Sequence, residues 1–424
     1  MILANATIVN PDFILESQNV QINEAAGLIT KIMPDIPETD EIIFDCKDMW
    51  LFPGLVDIHV HLRDLNQSQK EDFKTGTQAA IHGGFTTLFD MPNKEPPINN
   101  QLFYQKVQSL AKNIKDVDIY SFVLVDDQLL KEGFNWTYGK IFFGGTTATA
   151  GVEYNILDRV NKLQEKFFTI HAEDASTIKQ NQSLFSNEIK FHNKIRSPEG
   201  ELIAVSYIIN FLEKNRNYLN RYHIAHVTLP ETVNKILSAN LTNLSFEVAP
   251  HHMFLSEDDI DSLGEFIKVN PPLRSYDQML ELRKLWIEGK IPVLASDHAP
   301  HTKEEKMKLK MSGIPSLDTN LRLLLDFCLK SNISPTLITK TFSTNPAQLL
   351  ALNDRGIIEE GKRADMVLVD PNKKEIINEI YSKCNWSPWQ GKGLQGVPLI
   401  TFKNGIPVFI DKTVDKALFL TKDF

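Results

Sequence analysis

Cysteine is scarce: Cys46, Cys328 and Cys384 are the only three in 424 residues. An odd, widely spaced set provides neither a disulfide framework nor a thiolate metal site. It suits a reduced compartment. No apolar run is long enough to span a bilayer, and the N-terminus lacks the charged and apolar regions of a signal peptide. A cytoplasmic protein without a membrane segment is therefore expected. Positive charge is not in excess: 45 Lys and Arg stand against 54 Asp and Glu, for a net charge of −9. That balance argues against general nucleic-acid binding but leaves room for a small anionic substrate, because a site sets its own local potential. Low-complexity tracts and tandem repeats are missing too. The rest, 42% hydrophobic and 23% charged, is the composition of a globular protein, long enough for one large domain and a small one, or for two or three average ones.

The first fifty residues read as short strands broken by Pro11, Gly27, Pro34 and Pro37. Alone they are too few to bury a good core. From Leu51 strand-like bursts alternate with helical stretches. The spacing predicts a helix ending at Gly83–Gly84 and another over 100–112. About eight such strands over roughly 300 residues suggest a (β/α)8 barrel, with a doubly wound sheet as the competing topology. The polar residues favour the barrel. His59 and His61 end the first strand, Asn93 the second, His171 the fifth, His226 the sixth and Asp297 the eighth; Lys140 lies in the fourth. A barrel brings the carboxyl ends of all its strands to one mouth. After about Leu352 the β pattern returns, with Asn404–Gly405 as a hairpin turn. The expected architecture is an α/β chain: a barrel over 52–352 and a small β-sandwich built from 1–51 and 353–424.

In LFPGLVDIHVHLRD (51–64), His59 and His61 share one face of an apolar strand. Two such imidazoles are either hydrogen-bonded core histidines or a chelating pair. So much polarity in a buried strand, leading into Arg63 and Asp64, favours a partner such as a metal ion. Lys140 alone would read as a surface lysine at a strand start. His82, His192 and His223 read as ordinary surface or helix histidines, and His298 as structural. His251 and His252 stay open.

Taken together, DIHVHLRD, GKIFFGGTTA, TIHAED, IAHVT and ASDHAPH resemble the amidohydrolase superfamily over nearly the whole chain. The resemblance implies two zinc ions per chain. One would take His59, His61 and Asp297 and the other His171 and His226, with Lys140 bridging them as a carbamate formed from carbon dioxide. A free ammonium between two cations is untenable, and a buried lysine loses its proton readily. Two zinc ions carry four positive charges. The carbamate, Asp297 and a bridging hydroxide offset about three of these, leaving a small excess to stabilise an oxyanion.

Within the superfamily, HLRD, DMPN, FEVAPHHMFL, VNPPLRS and GIPSLDT resemble the dihydroorotases. That implies reversible interconversion of L-dihydroorotate and N-carbamoyl-L-aspartate in pyrimidine synthesis. Arg63, Asn93 and His301 would hold the substrate carboxylate. Asn270 and the backbone from Gly313 to Leu317 would hold the ring's polar edges, with Thr146 and Thr147 on a closing loop. The hydroxide would attack the ring amide while Asp297 moves the proton to the leaving nitrogen. A homodimer is implied, and association with aspartate transcarbamoylase is a further candidate. HLRDLN departs from the family's HLREPG, which puts the loop after Arg63 in question. Two rivals stand beside this reading: a hydantoinase or allantoinase, and a metal-free scaffold of the same fold.

Overall fold

The computed structural model describes residues 1–36, 38–146, 149–215 and 219–414. Eight parallel strand positions form the barrel: Leu55–Val60, Phe85–Asp90, Asp118–Ser121 continued by Val123–Leu124, Tyr138–Phe143, Phe167–Ala172, Arg221–Ile224, Leu244–Val248 and Val293–Leu294. The third strand is interrupted at Phe122, whose N–H donates to Asp90 O at 3.0 Å. The eighth meets the first through a parallel bridge between Val60 and His298, where the His61 N–H donates to His298 O at 2.8 Å. The buried Asp57 carboxylate helps close this seam by accepting the Ser296 N–H at 3.1 Å.

The barrel interior below its mouth is filled by aromatic rings. Phe89 lies edge-on to Tyr138 at 5.0 Å between centroids, and Phe122 and Phe167 complete the layer. Full burial of each such ring contributes about 1.5–3 kcal/mol. Outside the strands, helices cover apolar faces carrying Phe168, Tyr222 and Phe246. Their starts are written in the sequence. Asp72 and Thr75 form a capping box for Phe73–His82, and Asn100 caps Gln101–Lys112.

The β-sandwich expected from the two chain ends is built as one continuous eight-stranded sheet. Its order is Ile406–Ile410, Gly393–Lys403, Met366–Ile376, Trp50–Pro53, Ile2–Val9, Ile14–Asn23 and Leu28–Met33, with Ile43–Asp45 also paired to Ile2–Val9. Trp50–Pro53 joins the two ends, running parallel to one and antiparallel to the other. A second core of Leu3, Ile8, Phe44, Leu51, Met366, Leu368 and Ile400 fills this sheet. Asn404 and Gly405 make the hairpin, both at positive φ (51° and 79°) as a two-residue mirror turn requires. Between Ile376 and Gly393 the chain leaves the sheet. It packs Cys384, Trp386 and Trp389 against Leu255, Val269 and Ile314 of the barrel loops.

Candidate active site

His59 and His61 leave the first strand on the same side, ring centroids 5.5 Å apart. Asp297 follows the eighth strand and brings Oδ1 to 3.4 Å from His59 Nε2 and 3.3 Å from His61 Nε2. One donor atom from each of these three lies within 4.8 Å of the others, which makes a His-His-Asp metal site. Next to it, His171 Nδ1 faces His226 Nε2 at 3.0 Å, and the His226 ring is 5.2 Å from that of His59. Lys140, from the fourth strand, is fully buried, and its Nζ has no hydrogen-bond partner. Burial pushes this ammonium down to about 8, although Glu247 and Asp297 pull the other way. Burial also lowers His61 to about 3 and depresses His171 and His226, keeping them as the neutral imidazoles that ligate metals. Asp297 is held below the usual carboxylate range. Burial opposes this, but His59 and His61 prevail.

The ring nitrogen that faces away from this cluster is tied down on three of the four histidines. His59 Nδ1 meets Glu247 Oε1 at 2.5 Å, His61 Nδ1 meets Asn93 Oδ1 at 2.8 Å, and His171 Nε2 meets Glu173 Oε2 at 2.7 Å. Each contact fixes the ring's orientation and leaves the other nitrogen for a cation. Glu247 also receives His223 Nε2 at 3.1 Å, and Arg196 holds Glu173. Both carboxyls sit near 2: burial would raise them, but His59 and His223 on one, and Arg196 and His171 on the other, outweigh it. Two of the clustered residues, His226 and Asp297, carry positive φ (36° and 45°). Such strain costs about 1–3 kcal/mol per residue and persists only where the surroundings impose it.

A cavity of about 30 Å³ at this point is lined by His59, His61, Arg63, Asn93, Thr146, His171, His226, Asn270, Asp297 and Gly313, among others. It adjoins one of about 570 Å³ that shares Thr146, Asn270 and Ser312 and adds Arg196, Lys268 and Lys310. Arg63 is buried with Nε on Pro300 O (3.2 Å) and Nη2 on His301 Nε2 (3.1 Å). His301 thus stands behind Arg63 and is not among the cavity-lining residues. Leu317 is not brought there either. Its side chain is in the barrel core and its N–H donates to His298 Nδ1 at 3.3 Å. Thr147 lies outside the described residues.

One histidine differs from its sequence reading: His223 is fully buried on the sixth strand and supports Glu247. His192 is a helix residue, as read, buried with Nε2 on Val269 O at 2.8 Å. His251 and His252 are buried beside each other, their rings tilted by 53° with centroids 4.3 Å apart. Glu247, Glu173 and Asp57 escaped the sequence reading altogether. Their one signal was a carboxylate inside an apolar strand or at its end, as in SFEV, IHAE and LVDI.

Comparison with known proteins agrees with this geometry. A model of the amidohydrolase family matches residues 50–408. A dihydroorotase of Thermococcus kodakarensis is 35% identical over 387 residues, covering 90% of this chain and 88% of its own. One from Pyrococcus horikoshii is 36% identical, covering 87% and 83%, and one from Lactobacillus acidophilus is 30% identical, covering 96% of each chain. In three dimensions the chain is similar to the L-hydantoinase (dihydropyrimidinase) of Arthrobacter aurescens. The TM-score is 0.87 over 96% of this chain and 95% of that one, at 22% identity, a likeness of fold. With its histidines and aspartate converging at one barrel mouth and this kinship along nearly its full length, the chain belongs to the amidohydrolase family and, within it, to the dihydroorotases.

Proposed function

We propose that this chain catalyses the reversible hydrolysis of L-dihydroorotate to N-carbamoyl-L-aspartate, a step of pyrimidine synthesis. The observation that carries the reading is Arg63 beside the His59–His61–Asp297 cluster, in a cavity also bordered by Asn93 and Asn270. A cyclic amide bearing a carboxylate needs a cation for that group next to the hydrolytic centre. Two of Arg63's five N–H groups are engaged by Pro300 and His301, leaving the rest of its fork to pair with a carboxylate. Asn93 uses its oxygen on His61, which leaves its NH2 as a donor. His301 supports the guanidinium from behind. Asn270, whose Oδ1 has no partner, and the main chain at Gly313 suit the ring's polar edges. Thr146 borders both cavities and would close over the ring.

The donor set fits two zinc ions, one on His59, His61 and Asp297 and the other on His171 and His226. The unpartnered Lys140 would join them as its carbamate. Lowering its pKa from 10.5 to about 8 raises the neutral amine fraction at pH 7 from roughly 0.03% to roughly 9%, and only the neutral amine captures carbon dioxide. When bound, the metals would supply an activated water and polarise the amide carbonyl. Asp297 then takes the proton of the attacking water and delivers it to the leaving ring nitrogen, acting as base and then as acid.

Among the described residues no helix is long and apolar enough to cross a membrane. Three free, buried cysteines suit a cytoplasmic location. A homodimer and association with aspartate transcarbamoylase complete the proposal. The deciding experiment sets turnover of dihydroorotate beside that of hydantoin and allantoin, with zinc and bicarbonate supplied. Preference for dihydroorotate supports the reading, and preference for either of the others moves the chain to the hydantoinase or allantoinase class. A purified chain with neither zinc nor ring-opening activity would be a scaffold.

A further inference from the structure

Arg63, Asp64 and Leu65 are three consecutive non-glycine residues at positive φ (54°, 59° and 52°). L-residues avoid this region, so contacts must impose it. At Arg63 the contact is Lys94, whose Nζ donates to the Arg63 carbonyl at 2.5 Å. Lys94 is buried, pairs with the buried Asp90 at 2.7 Å, and sits 5.0 Å over the Phe73 ring. The other oxygen of Asp90 accepts the Leu62 N–H at 2.9 Å. The Asp90–Lys94 pair therefore grips the main chain just before Arg63 and just after it. Asp64 secures the far side. Its N–H donates to Glu71 O at 3.1 Å, and its carboxylate accepts the N–H groups of Leu65 and Phe73. A lysine this deeply buried is tolerable only with its donors satisfied. Here its charge is paired with one carboxylate and it donates to one carbonyl, and the carbonyl belongs to the residue that faces the substrate. Lys94 also directly follows Asn93, so one loop carries both a candidate carboxylate donor and this anchor.

We propose that Lys94 is a positioning residue. Through the Arg63 carbonyl it fixes the left-handed backbone from which the guanidinium is aimed at the substrate carboxylate. This rests on the reading of Arg63 given above. The test is steady-state kinetics with dihydroorotate on the metal-loaded full chain, comparing Lys94→Met, Arg63→Met, the two combined, and Lys94→Arg. Arg63→Met should raise KM by roughly a hundredfold. Lys94→Met should raise it by roughly tenfold with a smaller effect on kcat, since misaiming a clamp weakens binding without removing the hydrolytic groups. Lys94→Arg should recover much of the loss. In the Arg63→Met background Lys94→Met should add less than about twofold, because its effect passes through Arg63. Should Lys94→Met not fold, Lys94→Met with Asp90→Asn removes both buried charges and should show the same rise in KM. An unchanged KM in these variants overturns the proposal. So does a tenfold effect that persists undiminished without Arg63, the mark of a merely structural role. An Arg63→Met enzyme with wild-type KM overturns the reading of Arg63 itself, and the proposal with it.

Discussion

Replacing Lys140 by Met separates the lysine's effect on folding from its proposed role in holding metal. Lys140 is fully buried and its ammonium has no hydrogen-bond partner. Desolvation outweighs the attraction of Glu247 and Asp297 and brings the group from 10.5 to about 8. At 1.36 kcal/mol per unit, that displacement corresponds to about 3 kcal/mol. The sign follows from proton linkage. The folded state binds this proton less tightly than the unfolded state, so the lysine's relative stability is fully present above 10.5 and lost as pH falls through about 8. Stripped of metal and of carbon dioxide, the wild-type chain should therefore be less stable than Lys140→Met by about 3 kcal/mol at pH 7. The gap should start to close near pH 8 and vanish by about pH 10.5. Urea unfolding of both proteins from pH 6 to 11, in chelator and under nitrogen, measures it. Zinc and bicarbonate should reverse the order, because only the wild type can form the carbamate, and Lys140→Met should lose bound metal and turnover. A gap that ignores pH, or a metal-free wild type that is the more stable protein at pH 7, would show that Lys140 is not held as an uncompensated buried amine.

Asp297→Asn should lower dihydroorotate turnover by about 10²–10⁴-fold while most of the metal stays bound, since the four histidines and Lys140 are untouched. Wild-type turnover in that variant would remove Asp297 from proton transfer. Glu247→Gln deprives both His59 and His223 of a charged partner. Chelator competition should reveal metal affinity about 10–100-fold weaker, and unaltered affinity would make Glu247 a packing residue only. Gly405→Val places a β-branched residue at φ 79°, where a Cβ would come 2.4 Å from Ile22 Cγ2. The hairpin at the end of the sheet should lose about 1–3 kcal/mol in thermal unfolding. An unshifted midpoint there would mean that the turn's conformation is not what holds those strands together.

What could be read from the sequence, and what could not, divides along one physical line. His59 and His61 stand out because paired polar side chains in an apolar strand break the local pattern and their desolvation must be compensated, whereas Lys140, His171 and His226 are legible only through the resemblance carried by the whole motif set. The strand–helix alternation, the helix end at Gly83–Gly84 and the Asn404–Gly405 turn are equally local, and they foretell the barrel helices and the last hairpin. The supports of the site are not local. Glu247 orients His59 from 188 residues away. Trp386, in the excursion from the terminal sheet, donates to His301 O at 2.7 Å. Glu71 accepts from Ser382 and from the Lys383 N–H. None of these pairings leaves a periodicity, because each is created only when the eighth strand closes on the first and the sheet's excursion docks on the rim. For the same reason His223 looks like a surface residue until Leu244–Val248 is laid beside it.

The loop that departs from the family pattern makes the same point in reverse. HLRDLN lacks the proline and glycine that would favour a tight turn by themselves, yet Arg63, Asp64 and Leu65 all hold positive φ. The conformation is therefore imposed from outside the loop, by Lys94 on the Arg63 carbonyl, by the Asp64 carboxylate on Leu65 and Phe73, and by Glu71 on the Asp64 N–H. Those partners all lie between residues 64 and 94, so the turn takes shape once the second strand and its loop are laid beside the first. On the proposed function, the guanidinium is thus aimed by contacts within the first two strand–helix units, whereas the proposed metal ligands are gathered from strands spread around the barrel.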